Sequence, residues 1–204
     1  MGMVRSVHDD ASMAQFLLLY GTSDGQTQKI AEFCGAQLRR RGCTTSVVNA
    51  AEASPNPAEY DAVIVAASVH ASGYQRAVKR WCRRNREALG KTRTAFLSVC
   101  LGVLQHDVEV DKELGRIADR FFASTGFQPG EVKIVAGALP YTKYNFFKRF
   151  VMKRIVRKAG GDLDTSRDYE YTDWDDLRAF IDAFVLSTAR RAARARTASA
   201  HRSR

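Results

Sequence analysis

No stretch of this 204-residue chain approaches the roughly 18 consecutive apolar residues that a bilayer-spanning helix requires. The opening MGMVRSVHDDASMA lacks the apolar core of a signal peptide and reads as a leader without order over residues 1–14, with Met13 a second candidate start. Cysteine is scarce. Cys34, Cys43, Cys82 and Cys100 have no C-x-x-C spacing and fall in segments that read as buried or half-buried, so they are taken as reduced thiols of a cytosolic protein. No internal repeat is visible. No G-x-G-x-x-G is present, and no lysine follows a glycine-rich turn as a nucleotide P-loop demands, which argues against a nucleoside triphosphate or a dinucleotide. Acidic residues are outnumbered, 22 against 32 lysines and arginines, giving a net charge of +10 and an isoelectric point near 9.7. Such a balance suits an anionic partner: nucleic acid, an acidic membrane surface or a carboxylated substrate.

What is present is organised around residues 17–30, LLLYGTSDGQTQKI. A short apolar strand pattern breaks into the turn Gly21-Thr22-Ser23-Asp24-Gly25-Gln26-Thr27, and a helical pattern follows at once. The first amides of a helix have no intrahelical acceptor, and the helix dipole favours negative charge there. Small and hydroxyl residues at that junction therefore read as a phosphate cradle, against the plainer reading of a helix-capping turn.

Further along, strand patterns at 15–20, 44–49, 62–67, 94–99 and 133–138 alternate with helical ones at 26–41, 74–89 and from about Val110 to Gly126. Residues 51–60, with two prolines, read as a loop or a short irregular helix. The run AVIVAA at 62–67 suits a strand buried on both faces. This β-α-β alternation predicts an α/β fold with a doubly wound, five-stranded parallel sheet. Ligands of such sheets bind beyond the C-terminal strand ends, at the switch in strand order. Three segments meet that description: 21–27, 68–74 and 100–106.

A last helix is expected from Thr172 as N-cap, with Trp174, Leu177, Phe180, Ile181 and Phe184 as its buried stripe. The domain is read as residues 15–188, and the basic, small-residue-rich tail 189–204 as unstructured. Between the fifth strand and the last helix lies an insert at about 139–167. Its centre, KYNFFKRFVMKRIVRK, has seven basic residues and no acidic one, with aromatic and apolar side chains on more than one face of a helix. Such a helix suits an anionic bilayer interface or an acidic, partly apolar substrate, with Lys148, Arg149, Lys153 and Arg154 as contact candidates. A solvated basic helix packed on the domain is the plainer alternative. No nucleic-acid-binding motif is present, and no specific nucleic acid is expected.

The pattern Leu18-Leu19-Tyr20-x-Thr22-x-x-Gly25-x-Thr27 resembles the phosphate loop of flavodoxins. Beyond it, Asp24-Gly25-Gln26-Thr27, Ser98-Val99, Ala136-Gly137-Ala138-Leu139, the basic and aromatic insert, Gly160-Gly161, Asp164-Thr165 and Tyr171-Thr172-Asp173-Trp174 resemble the flavodoxin-like, quinone-dependent protoporphyrinogen oxidases of bacteria, over roughly residues 15–184. The resemblance implies FMN as cofactor, with oxidation of protoporphyrinogen IX to protoporphyrin IX and electrons passed to a membrane menaquinone or ubiquinone. It implies a cytoplasmic protein held peripherally on the inner face of the cell membrane; a homo-oligomer is compatible with it.

By position in that fold, Thr22, Ser23, Asp24, Gly25, Gln26 and Thr27 hold the phosphate. Ser68, His70 and Tyr74 in the second loop, and Ser98, Cys100 and Gly102 at the third, flank the flavin ring. His70 is a proton-shuttle candidate or a surface histidine, Tyr74 a stacking ring or a core residue, and Cys100 flavin-adjacent or simply a buried thiol. The sequence marks no catalytic base and no metal ligand. Two other readings stay open: another FMN-dependent quinone reductase, fed by a nicotinamide, and a non-enzymatic FMN electron carrier. The basic charge departs from the acidic character of ordinary electron-carrying flavodoxins.

Overall fold

A computed structural model describes residues 14–70, 72–105, 107–139 and 168–202. Strands β1 (Gln15–Gly21), β2 (Thr44–Asn49), β3 (Ala62–Ser68), β4 (Arg93–Cys100) and β5 (Glu131–Ala136) form one sheet in the order β2-β1-β3-β4-β5. Every neighbouring pair is parallel, with Leu18 opposite Val47 on one side and Ile64 on the other. Helices α1 (Gln26–Arg40), α2 (Arg76–Arg84), α3 (Arg86–Lys91), α4 (Val108–Thr125) and α5 (Trp174–Arg202) make the crossovers and the last layer. A short antiparallel ribbon, β6 (Ala138–Leu139) with β7 (Tyr169–Glu170), follows β5.

The alternation of side chains along a strand divides the core in two. On one face Phe16, Leu18, Ile64 and Leu97 pack against Ile30, Cys34 and Leu38 of α1 and Leu177, Ile181 and Phe184 of α5. On the other, Leu17, Leu19, Val63, Val65 and Phe96 pack against Val78, Trp81 and Cys82 of α2 and Phe121 of α4. Strands β1 and β3 are covered on both faces, which is why they read as unbroken apolar runs.

Several expectations are corrected. The helix expected over 74–89 starts at Arg76 and breaks at Asn85, whose side-chain amide donates to the Trp81 carbonyl at 3.0 Å. The Asn85 amide N–H still donates to the same carbonyl at 3.0 Å, but its backbone, at φ −103° and ψ 13°, has left the helical region, and there the helix breaks. The chain then turns helical again through Gly90 to Lys91. The fifth strand lies earlier than expected, at Glu131–Ala136, and Ala138 belongs to the ribbon. Thr172 is not the cap of α5. Its hydroxyl donates to the Ala136 carbonyl at 2.8 Å, while the Asp173 carboxylate accepts from the amides of Asp175 and Asp176 at 3.1 and 2.9 Å. The tail expected to lack structure continues α5 to Arg202. Alanine and arginine are strong helix formers, and the packed turns up to Ala189 supply the nucleus from which the helix extends. The leader before Ala14 and the insert residues 140–167, with Lys148, Arg149, Lys153 and Arg154, lie outside the described residues.

Candidate functional site

The strand order reverses between β1 and β3, so their C-terminal ends open the crevice that such sheets use for ligands. The loop leaving β1 folds into a tight turn at the N-terminus of α1. Thr22 Oγ1 accepts from the Gly25 amide at 2.9 Å and folds the turn back on itself. Gly25, at φ 98°, is left-handed and is the N-cap of α1; no side chain caps that helix. Only glycine takes this conformation without strain. A β-carbon there would meet nothing within 4 Å, so the space above the loop is open to a ligand.

Thr27, in the first turn, is 1% exposed, and its hydroxyl is a buried polar atom with no hydrogen-bond partner among the described residues. A buried hydroxyl left unmatched is costly. Together with the uncapped first amides of α1 it forms a donor set lacking its acceptor. The set fits a phosphate monoester, bound without a basic side chain.

The side chain of Gln26 turns the other way. Its Nε2 donates to Glu170 Oε1 at 3.1 Å and to Thr172 Oγ1 at 2.9 Å. Lys29 Nζ meets Glu170 Oε2 at 2.6 Å. Burial raises the Glu170 carboxyl, but the bonds from Lys29 and Gln26 outweigh it and hold the group below the ordinary carboxylate range. The ribbon is thereby clasped to the first turn of α1. Between them lies a cleft of about 330 Å³, lined by residues that include Asp24, Gly25, Ala138 and Asp168.

At the second loop, Ser68 ends β3 and is half-buried. His70 is exposed, in a tight hairpin where its amide donates to the Gly73 carbonyl at 2.8 Å. Tyr74 points into the core: its ring lies 5.1 Å from Phe96 and 5.0 Å from Phe121. Its hydroxyl and that of Ser98 are 2.8 Å apart. Burial pushes the Tyr74 phenol up, against the opposing effect of Ser98.

At the third loop Ser98 and Cys100 are buried, and burial raises the Cys100 thiol although the amides of Val103 and Gly102 bond to it. Gly102 opens a short 3-10 turn, where an added β-carbon would meet Val110 Cγ1 at 3.1 Å. Thus the turn 22–27 and Ser68 lie at the C-terminal ends of β1 and β3, on either side of the switch in strand order. Tyr74 and Ser98 brace the second and third loops from beneath, and His70 stands outside. Sequence reasoning missed Gln75, whose side chain reaches both Ser23 and Ser68, and Glu170, which holds the ribbon. Neither lies in a spacing pattern that marks it. Among the described residues no group of three or more histidines, cysteines or carboxylates is placed to hold a metal.

Residues 17–166 match the flavodoxin domain. The chain belongs to the flavodoxin family. The protoporphyrinogen IX dehydrogenase (quinone) of Escherichia coli K12 is 30% identical over 165 residues, 80% of this chain and 91% of its own. The protein of the same name from Leishmania major is 29% identical over 171 residues, 83% of this chain and 74% of its own. Among solved structures, a short-chain flavodoxin associated with a non-canonical PDU bacterial microcompartment superposes with a TM-score of 0.51 at 13% identity, covering 87% of this chain and 99% of the other. An NADH:FMN oxidoreductase in its apo form gives 0.51 at 16% identity, covering 85% and 89%. At those identities the likeness establishes the fold. FMN is the cofactor of the flavodoxin domain, and the cradle fits its phosphate. The chain is a flavoprotein oxidoreductase.

Proposed function

We propose that this flavoprotein oxidises protoporphyrinogen IX to protoporphyrin IX and passes the electrons to a membrane quinone. The observation that carries the reading is the match, along 80% of the chain, to a relative bearing that activity in its name, 91% of which is covered. The unmatched donors at Thr27 and the first turn of α1 support the cofactor half of it.

When bound, FMN supplies a two-electron acceptor that a quinone can reoxidise. The chain supplies the rest. The cradle from Thr22 to Thr27 anchors the phosphate, and Ser68 and the loops braced by Tyr74 and Ser98 border the ring. The chain's positive charge favours a substrate that carries propionates. No helix among the described residues is long and apolar enough to cross a membrane. The basic and aromatic insert, with Lys148, Arg149, Lys153 and Arg154, is the proposed contact with propionates or with the anionic inner face of the cell membrane, and menaquinone the proposed acceptor.

The test is anaerobic: FMN-loaded protein, protoporphyrinogen IX and a menaquinone analogue, with porphyrin fluorescence followed over time. Quinone-dependent growth well above the spontaneous rate, abolished in a Gly25→Val/Thr27→Val variant, is the expected result. A spontaneous rate from protein whose absorbance shows bound FMN would overturn the proposal, and brisk NADH oxidation by the same protein would point to a nicotinamide-fed quinone reductase.

A further inference from the structure

Gln75 stands just before α2 in extended conformation, φ −54° and ψ 135°. Its side chain is wedged against the end of β1, where a β-carbon on Gly21 would come within 3.1 Å of Gln75 Cβ. Three hydrogen bonds fix the amide. The Ser68 backbone amide donates to Gln75 Oε1 at 3.2 Å. Since that partner can only donate, the atom it meets is the carbonyl oxygen, and the orientation of the amide is settled by the network. Nε2 then donates to Ser23 Oγ at 3.1 Å and to Ser68 Oγ at 2.6 Å. Both of its hydrogens are used, and both serine oxygens act as acceptors toward it.

A hydroxyl that accepts at one side keeps its own hydrogen for another acceptor. Ser23 lies in the phosphate loop and Ser68 at the end of β3, on either side of the switch in strand order. We infer that Gln75 sets the polarity of the cofactor site, presenting the hydroxyls of Ser23 and Ser68 as donors to the acceptor oxygens of FMN, the phosphate above all. Gln75 is a positioning residue; it acts through the two serines. The inference concerns the cofactor and stands whichever substrate the flavin meets, so an inactive but FMN-binding protein would sink the proposed activity and leave this intact.

Gln75→Glu is the deciding variant, because it keeps the shape and reverses the polarity. A carboxylate still accepts from the Ser68 amide, but it takes the hydrogens of both serine hydroxyls and places a negative charge beside the phosphate. Gln75→Met removes the bonds without adding charge. FMN and riboflavin affinities of the full-length protein would be measured by flavin fluorescence, with melting temperature alongside. We expect Gln75→Glu to weaken FMN by about 30-fold or more and riboflavin by about fivefold at most, with Gln75→Met between wild type and Gln75→Glu for FMN. FMN binding within about threefold of wild type in Gln75→Glu would overturn the inference. So would equal losses for FMN and riboflavin, or a Gln75→Met protein as impaired as Gln75→Glu, since either result would make the residue a structural spacer.

Discussion

Replacing Thr27 with valine should move two measurements in opposite directions. The side chain is 1% exposed and its hydroxyl has no partner among the described residues. Valine has nearly the same shape and no group to satisfy. Leaving a buried hydroxyl unmatched costs about 1–3 kcal/mol, so the cofactor-free protein should gain roughly 1 kcal/mol from the exchange. For a chain of this size that is a rise of roughly 2–4 °C in melting temperature. With FMN the sign inverts. On the proposal that the turn cradles the phosphate, the threonine hydroxyl then donates to a phosphate oxygen, and losing a hydrogen bond to a charged acceptor costs about 1.5–3 kcal/mol, or about 10–150-fold in dissociation constant. Thermal melts of the apoprotein and fluorescence titration with FMN test the two halves. A lower melting temperature for the cofactor-free variant, or an unchanged FMN affinity, would refute the reasoning.

Gly21→Ala should cost roughly 1–3 kcal/mol, read as a lower urea midpoint, because the new methyl would lie 2.5 Å from Val78 Cγ2 and 3.1 Å from Gln75 Cβ, inside a packed core. Asp173→Ala should cost about 1 kcal/mol by removing the acceptor for two first-turn amides of α5; an equal urea midpoint would return the cap to Thr172. Alkali should destabilise the fold. Burial pushes the thiols of Cys34 and Cys82 up to about 12, whereas an unfolded thiol titrates near 8.5. The stability from keeping them neutral is complete below about pH 8.5 and falls as pH rises toward 12, by about 1.4 kcal/mol per pH unit for each thiol. Urea midpoints at pH 7, 9 and 10 measure that slope, and a Cys34→Ala/Cys82→Ala variant should flatten it.

The sheet was legible in the sequence because burial on both faces leaves an unbroken apolar run, as in Leu17–Leu19 and Ala62–Ala67. The turn between β1 and α1 was legible because its signal is local: Thr22, Gly25 and Thr27 lie within one turn of each other. What escaped depends on partners distant in sequence. Periodicity cannot tell that the backbone will leave the helical region at Asn85 and split a helix. Nor can it tell that Thr172, a good cap by type, is engaged by Ala136 and Gln26 while Asp173 caps instead. Tyr74 fitted both a stacking ring and a core residue until Phe96, Phe121 and Ser98 surrounded it. The tail misled for another reason. Its composition suits solvent, and α5 carries it there as a continuation of a packed helix, needing no buried face of its own.

The ribbon ties the two ends that flank the insert to one another. Residues 140–167 leave the chain at β6 and return at β7, and these two strands pair with Ala138 opposite Glu170. Glu170 is in turn held by Gln26 and Lys29, residues of the same helical turn whose amides and Thr27 hydroxyl are the proposed phosphate cradle. The two strands that flank residues 140–167, after β5 at the far edge of the sheet, are thus tethered beside the first turn of α1. On the proposal that residues 140–167 meet a lipid surface, this tether links the ends of that segment to the first turn of α1. It is also charged, so its strength depends on pH. The Glu170 carboxyl is held below its ordinary range, so the clasp is complete above the usual carboxylate pKa near 4.3 and is lost as pH falls below it. Glu170→Gln should therefore weaken vesicle binding or quinone turnover at neutral pH more than it weakens FMN affinity. Equal losses in both would mean that the clasp serves the cradle alone.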